Sequence, residues 1–218
     1  MTRLQLGVLV SGSGTNLQAI LDAAGQGQID VEIKVVISNR PRAGGLDRAR
    51  AAGVPAVVVS HKKHDSRESF EQALLDVLRE HGVEWVALAG FMRILTSHFL
   101  RGFPQRVVNI HPALLPAFPG THAQRQALEH GVRFSGCTVH FVDEGTDTGP
   151  IIAQAVVPVL QGDTEESLGA RILQQEHRIY PWVLQLLAAG RVVREGRQVR
   201  IVDGRVEPFA HISPDPAR

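Results

Sequence analysis

Cysteine is almost missing from this sequence: Cys137 stands alone among 218 residues. That excludes an internal disulfide and any four-cysteine zinc or iron–sulfur site, and it fits a reducing, cytoplasmic setting. An excess of charge of either sign is missing as well. The 23 basic and 22 acidic side chains leave a net charge of +1, too weak a field to gather a polyanion, so nucleic acid is not an expected partner and an anionic ligand must be held by a local site. No uninterrupted apolar run reaches the roughly 18 residues of a transmembrane span, which leaves no membrane partner to expect. The opening MTRLQLGVLVSG runs into a glycine turn rather than a cleavage site, so it reads as a first strand and not a signal peptide. Internal repeats, low-complexity blocks and linker-like shifts of composition are also missing, and a 44% hydrophobic content suffices for one sizeable core.

What is present alternates. Short β-branched runs at 4–10, 31–37, 55–59, 85–90 and 106–110 are separated by segments of helical spacing near 14–25, 43–52 and 66–81, the last opened by the capping candidates Asp65 and Ser66. Alternating β and α units predict a mostly parallel sheet with helices on both faces, a Rossmann-like, doubly wound α/β fold. After Asn109 the rhythm changes to a proline-rich loop, a short helix near 122–131, and strand candidates at 137–142 and 151–159 that suit antiparallel additions. A long helix is expected over about 164–190. The expected organisation is a main α/β domain over 1–190, with 191–218 as its extension: a hairpin-like ribbon in VVREGRQVRIVDGRV, then a loosely ordered tail, PFAHISPDPAR.

In an open parallel sheet, ligands collect beyond the carboxyl ends of the strands. Three unusual stretches fall there: SGSGTN after the first strand, FMRI after the fourth, and NIHP at the end of the fifth. The SGSGTN turn has two readings. Small residues before a helix N-terminus can present backbone N–H groups to a phosphate, or Gly12 and Gly14 can simply permit a tight turn capped by Ser13 or Thr15. A P-loop is excluded because no Gly-Lys-Ser/Thr follows. The dinucleotide fingerprint also fails, since Leu17 stands at its third glycine and the second strand ends in SNR without an acid. NAD is thereby disfavoured, and NADP, whose additional phosphate Arg40 could meet, stays as a competitor.

NIHP carries more chemistry. Residues two apart on a strand share a side, so Asn109 and His111 point together while Ile110 turns away, and Pro112 keeps His111 extended. An amide beside an imidazole suits a reaction in which an oxyanion develops and protons move. The bland alternative is a histidine that caps a strand end. An orienting carboxylate is available in VDEGTDTGPII, where Asp147, ahead of the rigid Thr-Gly-Pro turn, is preferred over Asp143 and Glu144. A carboxylate there is expected to raise the His111 pKa and hold the ring as an imidazolium. His140 in TVHFV is left outside the catalytic set. No metal is expected: His61 and His64 in HKKH lack a third ligand, and His122 and His130 read as residues of a surface helix.

Taken together, SGSGTNLQAI, SNR, LAGFMRIL, NIHPALLPAFPGTHAQRQAL, TVHFVDEGTDTGPII and QQEHRIYP stand in the order seen in one family. The chain resembles the glycinamide ribonucleotide transformylases, the folate-dependent formyltransferases of purine synthesis, over most of its length. NIHP, LLP and DxGP are shared with other users of formyl-folates; the small-residue turn, LAGFMRIL and EHRIYP are the narrower signals. The resemblance implies glycinamide ribonucleotide as substrate and 10-formyltetrahydrofolate as co-substrate, without a metal. It implies that Gly14, Thr15 and Asn16 hold the ribonucleotide phosphate and that Glu176 contacts the same substrate. Arg67, Met92, Arg93, Ile94 and Leu95 would border the folate, together with Asn109 and the loop Asp143, Glu144, Gly145, Thr146 and Asp147. Asn109, His111 and Asp147 would be the catalytic group, in a monomer or homodimer. Each residue has a plainer reading too: FMRI as core filler, Glu176 as a helix-surface acid, Arg67 as a solvated charge at a helix start.

Competing functions are a formyltetrahydrofolate hydrolase and a non-catalytic nucleotide or folate sensor. The hydrolases carry an additional N-terminal domain, whereas the first strand here is expected from residue 4. A phosphate turn has no purpose when water is the acceptor. An intact Asn109, His111 and Asp147 set is superfluous in a sensor.

Overall fold

The computed structural model describes residues 3–204; the tail expected at 208–218 lies outside the described residues. Among the described residues nine strands and six α-helices follow in chain order: β1 (Leu4–Val10), α1 (Thr15–Gly25), β2 (Val31–Ser38), α2 (Gly44–Ala51), β3 (Ala56–Val58), α3 (Arg67–Glu80), β4 (Trp85–Leu88), α4 (Ser97–Gly102), β5 (Val107–His111), α5 (Ala123–Glu129), β6 (Phe134–Phe141), β7 (Ile151–Pro158), α6 (Glu165–Ala188), β8 (Val192–Glu195) and β9 (Gln198–Ile201).

The main sheet has seven strands in the order β3-β2-β1-β4-β5-β6-β7, and β8 and β9 form a separate antiparallel pair. The first five are parallel; β6 pairs antiparallel with β5, and β7 pairs antiparallel with β6. This is the mostly parallel, doubly wound α/β sheet with antiparallel additions that the alternating pattern predicts. Successive crossovers run outward in opposite directions from β1 and β4, so the chain diverges between the carboxyl ends of these two strands and opens a crevice there.

Both sheet faces are apolar because helices cover both. Leu6, Val8 and Val10 of β1 pack with Leu17 and Ile20 of α1 and with Tyr180 and Leu184 of α6. Leu9, facing the other way, joins Phe70, Leu74 and Leu78 of α3 and Phe99 of α4. α6 shows how this packing reaches the site. Its buried stripe runs Leu168, Ile172, Glu176, Tyr180, Leu184, with a carboxylate among the apolar residues. Tyr180 is fully buried, and its hydroxyl lies 3.0 Å from Leu88 O and 3.2 Å from Val108 O, which pins the helix under the ends of β4 and β5.

Three details differ from the sequence expectation. α4 was not expected; it is six residues long, and Thr96 caps it through a bond to the His98 N–H. β6 starts at Phe134, three residues ahead of the expected 137, and β4 stops at Leu88 because Gly90 turns with φ +76°. At the start of α3 the cap is Ser66, in a reciprocal capping box with Ser69.

Candidate active site

The turn after β1 is built by opposing pulls. Gly12 O accepts from the Gly45 N–H at 3.1 Å, and Ser13 O accepts from Arg48 Nε at 2.8 Å. Both carbonyls are thus drawn toward α2. Because a peptide plane sets its C=O and N–H on opposite sides, the following amides of Ser13 and Gly14 face away from α2. Gly14 caps α1 in the left-handed conformation, and no side chain satisfies the helix's first donors. Neither Ser13 nor Thr15 is therefore the cap, and the N–H groups of the first turn stay available for an anion. This turn, with Arg40, Ala89, Gly90 and Met92, encloses a cavity of about 200 Å³. A larger groove, about 660 Å³, lies between α1 and α6 and shares only Thr15 with it.

Asn16 aims its amide at α6, where Nδ2 donates to Glu176 Oε2 at 2.7 Å. Burial raises the Glu176 pKa, and the Asn16 bond opposes that shift without cancelling it. Asn16 Oδ1 is buried without a partner among the described residues, which leaves an acceptor beside the turn.

The end of β5 brings the other group together. Asn109 and His111 share a side, as their spacing predicts, and the loop before β7 delivers Asp147 to both. His111 Nδ1 lies 3.2 Å from Asp147 Oδ2, and Asn109 Nδ2 lies 3.5 Å from Asp147 Oδ1. Asp147 sits at φ +55°, a left-handed position that aspartate tolerates, and accepts the Gly120 N–H at 2.8 Å. Gly149 makes this loop geometry possible, since a Cβ there would overlap Phe141 O. Arg197, on the β8–β9 turn, braces the loop from outside by donating to Thr148 O at 2.9 Å.

One residue of this cluster was missed. His140 Nε2 lies 3.1 Å from Asn109 Nδ2 and 3.7 Å from Asp147 Oδ1, while its Nδ1 sits 2.8 Å from Phe141 O. With Nδ1 against Phe141 O and Nε2 between the Asn109 amide and Asp147, the His140 ring fixes where that amide sits. The available signal was the pairing register: Asn109 stands opposite His140, and His111 opposite Thr138. Thr138 has a different task. It donates to Ala113 O at 2.7 Å and accepts the Leu115 N–H at 3.1 Å, shaping the proline-rich loop.

The expected charge on His111 is corrected by its depth. The residue is only 4% exposed. Burial, the largest effect, lowers its pKa below the ordinary 6.5, and the raising influence of Asp147 and of the Phe118 carbonyl does not compensate. The resting ring is neutral at neutral pH. Asp147 shifts the other way: burial pushes its pKa up, but His140, the Gly120 N–H and His111 together hold it below the usual 3.8. His111 has an acceptor on each side, with Nε2 2.8 Å from Phe118 O, so a neutral ring can donate to only one of them and an imidazolium to both.

A pH dependence follows. With the folded pKa of His111 depressed, the unfolded chain takes up the proton first as pH falls below 6.5, so stability present above that value is lost on acidification. His177 is shifted in the same direction, which makes a variant the proper comparison. The melting temperature of His111→Gln is expected to gain on the wild type steadily from pH 7 to pH 5; parallel curves in a thermal scan would contradict the shift.

The stretch 92–95 divides in two. Met92 and Ile94 are exposed at 59% and 55%, whereas Leu95 is 3% exposed and belongs to the apolar cluster of Phe70 and Phe99. Both ends are clamped. The Met92 N–H donates to Ser11 Oγ at 2.8 Å, and Ser11 donates in turn to the buried Asn39 at 2.6 Å. At the far end, the fully buried Glu71 accepts from the Thr96 N–H at 2.7 Å and from its hydroxyl at 2.5 Å. Ser11, Asn39 and Glu71 are supports that no local pattern announced. Arg93 is exposed, and Arg67 is exposed at the first position of α3, without a bond to the cluster. Asp143 accepts from Thr148 Oγ1 at 2.6 Å and from the Gly145 N–H at 3.2 Å, while Glu144, Gly145 and Thr146 are exposed beside it. Cys137 is buried and its thiol is pushed up to about 12, chiefly by burial, so it is no nucleophile. Among the described residues no cluster of histidine, cysteine and acidic side chains could hold a metal ion, and no helix is long and apolar enough to cross a membrane.

Comparison with known proteins is consistent across sequence and structure. A formyl transferase family model matches residues 4–184. The phosphoribosylglycinamide formyltransferase of Escherichia coli is 46% identical over 185 residues, covering 85% of this chain and 87% of that protein. The trifunctional purine biosynthetic protein adenosine-3 of Drosophila pseudoobscura pseudoobscura is 52% identical over 195 residues, 88% of this chain; the chain spans 14% of that protein's length. In three dimensions, glycinamide ribonucleotide transformylase 1 from Symbiobacterium toebii superposes with a TM-score of 0.91 at 57% identity, over 93% of this chain and 95% of that one.

Proposed function

The chain belongs to the formyl transferase family, and from that premise we propose that it transfers the formyl group of 10-formyltetrahydrofolate to the amine of glycinamide ribonucleotide, as a cytoplasmic enzyme of purine synthesis. The observation that carries this reading is the convergence of Asn109 and His111 on Asp147, on the same sheet rim as the donor-rich turn after β1. Gly14, Thr15 and Asn16 hold the substrate's phosphate. Asn16 and Glu176 face the body of the ribonucleotide, whose far end presents the amine to the cluster. The folate lies along Met92, Arg93 and Ile94 and under the loop 143–147, with Arg67 at the outer end and Leu95 backing the wall.

The amine nitrogen attacks the formyl carbon, a carbon–nitrogen bond forms, and electrons move onto the formyl oxygen. That oxygen takes as donors the Asn109 hydrogen whose contact to Asp147 is the long one at 3.5 Å, and then the proton that His111 Nε2, now facing Phe118 O, comes to carry once the ring has taken it from the amine. His111, neutral at rest, accepts the proton that the attacking amine sheds. Asp147 keeps its negative charge and favours the imidazolium while it lasts. The same proton goes to folate N10 as its bond to the formyl carbon breaks, so the amine loses one hydrogen and N10 gains one. His140 keeps the Asn109 amide turned toward the reacting atoms.

Water in place of the amine would make a formyl-folate hydrolase, and the donor-rich turn would then have no ligand. The test is direct: purified protein, glycinamide ribonucleotide and 10-formyltetrahydrofolate, with formylated ribonucleotide and formate both quantified. Formylated product is expected. Formate alone would establish the hydrolase, and binding of both substrates without turnover would establish a sensor.

A further inference from the structure

The turn after β1 offers donors but no charge. A phosphomonoester carries between one and two negative charges at neutral pH, and neutral hydrogen bonds would have to hold it within reach of the carboxylate of Glu176, which sits directly behind Asn16. Of the residues that line the 200 Å³ cavity, Arg40 is the single ionisable one. We propose that Arg40 is the counter-charge of the ribonucleotide's phosphate. This rests on the function proposed above, and assigns the residue that supplies its electrostatic affinity.

Three observations support it. First, Arg40 sits on a fixed base: its N–H donates to Ser38 Oγ at 3.0 Å, the Ser38 hydroxyl donates back to Arg40 O at 2.9 Å, and Ser38 is fully buried at the end of β2. The neighbouring Asn39 accepts the Ser11 hydroxyl, so the backbone that carries Arg40 is tied to the residue from which the turn departs. Second, the side chain itself is exposed, and no acceptor among the described residues holds its guanidinium. An arginine on a rigid stem with five unspent donors at a cavity mouth suits the forked recognition of a phosphate. Third, Arg48, which also reaches the turn, is committed. Arg48 spends Nε on Ser13 O and Nη1 on Gln18, and it lines the groove between α1 and α6 rather than this cavity. Arg48 shapes the turn, and Arg40 charges it.

The experiment compares two amines, glycinamide ribonucleotide and the riboside that lacks the phosphate, on wild type and Arg40→Ala. The substitution is expected to raise KM for the ribonucleotide by roughly tenfold to a hundredfold, the range of a charge-assisted pair, while leaving KM for the riboside within about twofold and the melting temperature unchanged. Arg40→Lys should recover part of the loss, since it restores the charge without the fork. Equal effects on both amines, or no effect on the ribonucleotide, would overturn the assignment. Calorimetric titration with ribose 5-phosphate reads the same site without turnover: binding to the wild type that weakens by a similar factor in Arg40→Ala supports the assignment even if formyl transfer itself were not found, and undiminished binding in the variant refutes it.

Discussion

Asp147→Asn is expected to lower kcat on the order of a thousandfold while both KM values stay within a few-fold of the wild type. The choice of asparagine matters. Asp147 occupies a left-handed backbone position at φ +55°, which asparagine tolerates and most residues do not, so the loop keeps its shape. The amide oxygen can still accept the Gly120 N–H. What disappears is the charge, and with it the attraction that raises the His111 pKa against the larger effect of burial. The variant's His111 must therefore titrate at a still lower pH than in the wild type. A protein that needs an imidazolium only transiently feels this at the step in which His111 takes the proton. The acid limb of the kcat/KM profile should move to lower pH as the plateau falls. A merely structural Asp147 would instead cost stability and binding with no displacement of that limb. A kcat within tenfold of the wild type would remove Asp147 from the mechanism.

The direction of the His111 shift shows where sequence reasoning reaches its limit. A carboxylate partner can be guessed from TDTGP, and the geometry bears out the contact at 3.2 Å. The depth of the ring cannot be guessed, because it is set by β6, by the proline-rich loop and by Phe118 together, and burial outweighed the partner. His140 illustrates the same limit in pairing. Alternation within TVHFV places Thr138 and His140 on one side, but which residues they face depends on the antiparallel register between β5 and β6, a property of two strands and the loop that joins them. The local signals fared better. Alternating β and α segments, the Ser66 cap and the Asn109/His111 spacing all rest on periodicities of two or 3.6 residues that any window of sequence carries. Helix α4 fell below that resolution: six residues hold too little pattern, and its cap, Thr96, is fixed by Glu71 from α3, 25 positions away. Glu176 was readable in part, as the one carboxylate in a stripe of apolar residues spaced four apart.

Gly14→Ala is expected to abolish useful affinity for the ribonucleotide, raising its KM by about a hundredfold or more, and to destabilise the protein by about 2 kcal/mol. Two costs coincide at this position. The residue stands at φ +73°, where a side chain is strained, and a Cβ there would lie 2.5 Å from the Gly45 Cα, a backbone atom that cannot rotate away. Relief requires the turn to separate from α2. That separation breaks the Gly45 N–H bond to Gly12 O and lengthens the Arg48 bond to Ser13 O, the two pulls that turn the Ser13 and Gly14 amides away from α2. The damage should fall on the ribonucleotide and spare the folate, because Met92 is held by Ser11 and Thr96 by Glu71, independently of Gly14. Gly12→Ala supplies the control for stability: a Cβ at Gly12 meets nothing within 4 Å, so its melting temperature should match the wild type even if the methyl group crowds the cavity. Unchanged ribonucleotide affinity in Gly14→Ala would mean that the phosphate is held elsewhere, and that the donor-rich turn is only the tight bend its glycines also permit.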